Sequence, residues 1–236
     1  MNGIDFPIRL KKRELILGLI YIPAHMLLLP LLLTGLQLIL SGHGLSVSGV
    51  TYNAVYFFIG FFAMFLILRS FLKDSFARFL ALGLANLREL LLNLLLYYAL
   101  AYAVSILATV LFGELESPNN DMVLELVALD LNAAVALSVL LAPFVEECLF
   151  RGVLFTWLAG KSRTLGYVFS AFAFAFLHVF QYLLIDFDPR LLLTMLSYFP
   201  AGIVLCRIYE RTGTLWSSIC LHTLINALTL YAVSLL

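Results

Sequence analysis

The chain has 236 residues, of which 63% are hydrophobic and 12% charged, with a mean hydropathy of +1.05. A soluble domain is nearer half apolar and a quarter charged, so there is too little polar surface here to cover a water-soluble fold. This excludes a soluble enzyme, a nucleic-acid binder and a disordered chain, and a net charge of zero points to no charged partner. The apolar runs are continuous rather than alternating, which also excludes a transmembrane β-barrel. The expected fold class is all-α: a polytopic transmembrane helix bundle of seven to eight helices.

The chain opens on a basic stretch, Arg9, Lys11, Lys12 and Arg13, followed by an apolar run over 15–40. That run is too long for the core of a signal peptide, and no small-residue cleavage site follows it. It reads as a retained first span. A span needs about 20 apolar residues, and further candidates lie at 53–72, 90–112, 131–160, 165–185, 191–206 and 215–236. An additional partial helix fits near 120–130. No internal repeat or linker divides the chain, so 1–236 is expected to form one integral membrane domain.

The charges in the connections set an orientation. Lys and Arg gather on the cytoplasmic side of membrane proteins. Twelve of the fourteen basic residues lie in four alternate connections: the N-terminal arm, 69–88, 160–164 and 207–214. The other connections hold only Arg190, beside Asp186 and Asp188, and the third carries Glu114, Glu116, Asp121 and Glu125. The pattern predicts seven crossings with the N-terminus cytoplasmic and the C-terminus outside. The three cysteines, Cys148, Cys206 and Cys220, sit in apolar runs without a CxxC, which argues against a disulfide framework or thiolate metal site.

Ionisable residues within spans are costly and mark function. The fourth span carries Glu146, Glu147 and Arg151. Glu147 and Arg151 are four apart and can pair on one helix face, whereas Glu146 is turned about 100° away. One carboxylate is thus neutralised and one left over, which suits a general base; the competing view is a buried ion triad that only fixes packing. The fifth span places Phe174 and His178 on one face, and the seventh does the same for His222 and Asn226. Singly, each is more simply interhelical hydrogen-bonding glue. Measured from the basic ends at about 1.5 Å per residue, however, Glu146 lies about 21 Å deep, His178 about 20 Å, Asn226 about 17 Å and His222 about 11 Å. Polar residues placed only for packing have no reason to overlap in depth. His25, between Pro23 and Pro30, is a candidate cavity residue, and the two prolines are expected to kink the first helix. His43 is expected in solvent, and Tyr97, Tyr98 and Tyr102 in packing and interfacial roles.

Glu146-Glu147-x-x-x-Arg151, Phe174-x-x-x-His178 and His222-x-x-x-Asn226 follow one another on successive hydrophobic segments. Together they resemble the CAAX-protease and bacteriocin-processing (CPBP, or Abi) family of glutamate-type intramembrane proteases. The resemblance covers about 130–230. It implies a peptidase site within the bundle, reached from the cytoplasmic side or laterally from lipid. On this resemblance 122–236 would be the catalytic core, with the spans in 1–112 left without an assigned role. Glu146 and His178 would activate a water, and His222 and Asn226 would stabilise the oxyanion. Glu147, Arg151 and Phe174 would shape the site. The reading uses no cofactor; its metal-dependent alternative would bind zinc through Glu146, His178 and His222. The implied partners are the lipid bilayer and a membrane-anchored protein or peptide, either lipidated or carrying a C-terminal sorting tail, and no nucleic acid. The compact length resembles prokaryotic members, which implies a multi-pass protein of the cell inner membrane.

Three other readings compete. A Cys148–His178 protease is disfavoured because the adjacent glutamates suppress the thiolate. A proton-coupled transporter would use the same Glu, Arg and His but lacks visible inverted repeats. A non-catalytic membrane scaffold would keep the motifs only for folding.

Overall fold

The computed structural model describes residues 3–115, 117–185 and 188–233. Every regular element among them is helical. We number these α1 (Lys12–Gly42), α2 (Gly49–Ile67), α3 (Arg69–Leu82), α4 (Leu84–Phe112), α5 (Pro118–Leu129), α6 (Leu131–Ala159), α7 (Arg163–Leu177), α8 (Phe180–Ile185), α9 (Leu191–Ser197), α10 (Phe199–Thr212) and α11 (Leu215–Val233).

Five of them, α1, α2, α4, α6 and α11, are long and apolar enough to cross a bilayer, and α9 with α10 forms a sixth broken by a 41° bend. The bend falls at Tyr198, two residues ahead of Pro200, whose missing N–H cannot continue the hydrogen-bond ladder of α9 across the junction. The expected continuous segment 165–185 is divided instead: α7 stops after 15 residues, and α8 begins after His178 and Val179. At about 1.5 Å per residue, α7 alone covers roughly 22 Å. The expected span 53–72 also differs, because α2 starts at Gly49 and the helix turns at Leu68 into α3. The partial helix anticipated near 120–130 corresponds to α5. Glu116 and Asp186 lie outside the described residues.

Backbone chemistry explains two further features. Pro23 cannot donate to the preceding turn, and α1 widens there into a π-helical turn, Ala24–Leu28. Small residues let helices approach without a hydrophobic driving force between them. At Gly202 in α10, an added Cβ would come within 3.0 Å of Ala171 in α7.

The four basic connections meet at one end of the bundle. In the N-terminal arm the Ile4 N–H donates to Ala159 O at 2.7 Å, and Phe6 stacks on Tyr209 with ring centroids 5.0 Å apart. Glu14 accepts from Phe71 N at 3.0 Å. Arg78 donates to Thr212 O at 2.7 Å, Arg163 to Glu210 at 2.8 Å and Arg211 to Glu89 at 3.1 Å. We call this the basic end. The opposite end holds the α4–α5 connection, where the hydroxyls of Ser117 and Tyr198 lie 2.8 Å apart. Charge segregation in the sequence therefore corresponds to two physical ends of the fold.

Candidate active site

α6 is the most enclosed of the spans and carries the charges. Two π-helical stretches, Val135–Leu141 and Cys148–Phe155, bracket the α-helical turn Ala142–Glu147. Pro143 lacks the N–H that a continuous α-helix would use, which favours loosening of the hydrogen-bond ladder just before it. Single π turns of this kind gather at functional sites.

The adjacent glutamates have opposite surroundings. The Glu147 carboxylate is fully engaged: Oε1 accepts from Arg151 Nη1 at 2.8 Å and lies 2.9 Å from His222 Nδ1, while Oε2 accepts from Ser218 at 2.6 Å. Arg151 also donates to Gly202 O at 3.1 Å and lies 4.4 Å above the Phe174 ring. Glu147 and Arg151 are wholly buried. This cluster binds α6, α7, α10 and α11 together through one ion pair. By contrast, Glu146 Oε2 is buried without a hydrogen-bond partner. The i,i+4 spacing thus distinguishes the glutamates as read from the sequence.

Glu146 faces a cavity of about 580 Å³. Phe174, His178, His222 and Asn226 line the same cavity, so three segments distant in sequence converge on one space. His178 caps the end of α7, its Nδ1 2.8 Å from Phe174 O. A carbonyl accepts only, so Nδ1 carries the proton and Nε2 keeps its lone pair. The ring is held between Tyr198, stacked at 4.2 Å, and Phe174 at 4.8 Å. The same logic gives His222 its proton on Nδ1, facing the Glu147 carboxylate. Asn226 donates to Ser138 O at 2.8 Å, which orients the amide and leaves its second N–H available.

A second cavity, of about 90 Å³, reaches Glu146 and His178 from another side. Its wall includes His25 and Tyr56, whose rings stack at 4.5 Å. His25 Nδ1, like Glu146 Oε2, is buried without a partner. Polar walls around a space of this size suit a few ordered waters, each occupying about 30 Å³. The N-terminal spans therefore contribute walls to the site.

Several contributors escape motif reading. Ser218 stands four residues before His222, so its helix face could have been noted. Ser138, Tyr198 and the Gly202 carbonyl have no local sequence signal. Tyr97, read as packing, lines the larger cavity, while Tyr102 is exposed on the outside of α4. His43 is exposed, and Cys148 is wholly buried in the core.

The zinc alternative needs Glu146, His178 and His222 to converge on one point. Among the described residues, no group of three or more His, Cys, Asp or Glu side chains is placed to hold a metal ion. The donor set does not fit zinc, and no step below runs through it.

Residues 128–228 match the family model described as Rce1-like, Type II CAAX prenyl endopeptidase Rce1-like. This is the CAAX-protease family that the three motifs resemble, and the match covers the segment carrying them. The match and the apolar helices together support an integral membrane protein and a protease of the CAAX type. No curated protein and no solved structure matches the chain.

Proposed function

We propose that the chain is an intramembrane endopeptidase of the glutamate type, with Glu146 as the base that activates water. The observation that carries this reading is the unpartnered Glu146 oxygen on the wall of a cavity shared with His178, His222 and Asn226. A carboxylate kept only for packing would have its oxygens satisfied, as those of Glu147 are.

Water held between Glu146 and the free Nε2 of His178 attacks the peptide carbonyl carbon and gives its proton to Glu146. The carbonyl π bond opens to an oxyanion, which accepts from the free N–H of Asn226 and from His222 Nε2–H. His222 donates there when both ring nitrogens carry a proton, its Nδ1–H being held by the Glu147 carboxylate. Collapse of the intermediate breaks the C–N bond while Glu146 passes its proton to the leaving amine. The products are a carboxylic acid and an amine, which exchange a proton to leave as carboxylate and ammonium, and water is the sole co-reactant. The apolar walls around the cavity lower the local dielectric and strengthen each interaction.

The substrate is a membrane-anchored protein or peptide. The protein crosses the membrane seven times, α7 and α8 together making the crossing that neither is long enough to make alone, with its N-terminus cytoplasmic, in a prokaryotic inner membrane.

The test is cleavage of a membrane-peptide library by purified protein in detergent, read by mass spectrometry. Wild type cleaves, with or without chelator, while Glu146→Gln loses about 10²- to 10⁴-fold in rate at an unchanged unfolding midpoint. Cleavage that survives Glu146→Gln overturns the mechanism. Activity lost to chelator and restored by zinc overturns its metal-free form. A transporter would tolerate loss of the second Asn226 N–H, whereas the peptidase would not.

A further inference from the structure

The linings of both cavities run toward the end opposite the basic cluster. The wall of the larger one follows α4 from Tyr97 to Gly113 and continues through Ser117 into Asn119. The smaller one is bounded by Asn119, Met122 and Tyr182. No residue of the N-terminal arm, of α3 or of the two basic turns lines either space.

Approach from the basic end is obstructed. Beyond Arg151 lie Phe155 and Tyr209, both buried, with Phe6 of the arm packed on each. The Tyr209 hydroxyl lies 2.9 Å from that of Thr156, and the arm is hydrogen-bonded to Ala159. This closure is protein packed on protein, not a lipid seal.

Twelve basic residues belong to the connections at the closed end. At the open end Arg190 is the one basic residue, against Glu114, Asp121, Glu125, Asp130 and Asp188 among the described residues. The bias of Lys and Arg toward the cytoplasm therefore assigns the closed end to the cytoplasm.

We propose that the site takes its substrate from the extracytoplasmic face, so that the scissile bond belongs to an exported, membrane-anchored polypeptide rather than to a lipidated C-terminus in the cytoplasmic leaflet. The substrate class rests on the peptidase reading above; the direction of access does not. It reverses the cytoplasmic entry that the family resemblance implies.

The test places single cysteines at Asn119 in the mouth, Ser105 on the cavity wall and Lys161 at the closed end, in a Cys220→Ser background. Cys148 and Cys206 are wholly buried and stay in place. Bacterial cells expressing each variant are treated with a membrane-impermeant maleimide before and after permeabilisation. Asn119→Cys and Ser105→Cys are labelled in intact cells, and Lys161→Cys only after permeabilisation. The reverse pattern overturns the proposal. Labelling of Asn119→Cys without Ser105→Cys under any condition also overturns it, because the mouth would then lead nowhere. Labelling needs no catalysis, so a failed cleavage assay with the expected labelling removes the peptidase reading and leaves the access route standing.

Discussion

α4 and α6 are both 29 residues long and both pass as membrane spans, yet 6% of the most apolar stretch of α4 is buried against 67% of that of α6. α4 keeps its polar contacts near one end, where Glu89 accepts from Arg211 and Asn86 accepts from Ser217. α6 carries two carboxylates and a guanidinium at mid-length, surrounded by protein. Apolarity puts a helix in the bilayer; it does not say what surrounds it there. A charge at depth needs an enclosing shell, so the enclosed span is where chemistry is affordable. The lipid-facing span supplies a wall.

The strongest challenge to this contrast is Glu147→Ala. It leaves Arg151 buried and uncompensated, and should destabilise the fold by about 3–5 kcal/mol, seen as a large drop in the thermal unfolding midpoint in detergent. A small drop would mean that water reaches the cluster. Next in size is Gly202→Leu, which forces a side chain against Ala171 and disturbs the carbonyl that Arg151 uses; overpacking should cost about 1–3 kcal/mol. Ser218→Ala removes one donor from Glu147 and should cost about 1–3 kcal/mol by the same readout. Ala108→Trp, on the cavity wall of α4, should leave the midpoint in place and slow peptide cleavage about tenfold, or about 1.4 kcal/mol in the barrier. Smallest of all, Val110→Ala on the exposed side of α4 should shift stability by less than about 0.5 kcal/mol. A larger shift would show that α4 is covered by something other than lipid.

Much of this was legible in the sequence because a bilayer penalises charge so heavily. Glu146, Glu147 and Arg151 stand out against an apolar background, and i,i+4 geometry separates the paired glutamate from the unpartnered one. Alternate basic connections likewise anticipate the end at which Arg78, Arg163 and Arg211 gather. What remained hidden depends on contacts far apart in the chain. The stop after α7 and the bend at Tyr198 follow from local backbone, yet hydropathy averages across both. Ser138 and the Gly202 carbonyl matter only through partners 88 and 51 residues away. His25 was a candidate by type, and only the approach of α1 and α2 to α6 gives it a cavity wall to occupy.

The π-helical stretches on either side of the glutamates have a consequence for how such a site is edited. A widened turn holds one residue more than an α-helical turn, so a deletion there can be absorbed by regularising the helix. The span would survive and the residues beyond it would keep their facing, whereas the same deletion in an α-helical turn would rotate everything beyond it by about 100°. Removing Cys148, Leu149 or Phe150 would shorten the Glu147–Arg151 spacing from four residues to three while leaving composition almost untouched. The aim of the reactive pair is thus encoded in residue count, a property that substitution scanning never samples and a single-codon deletion would.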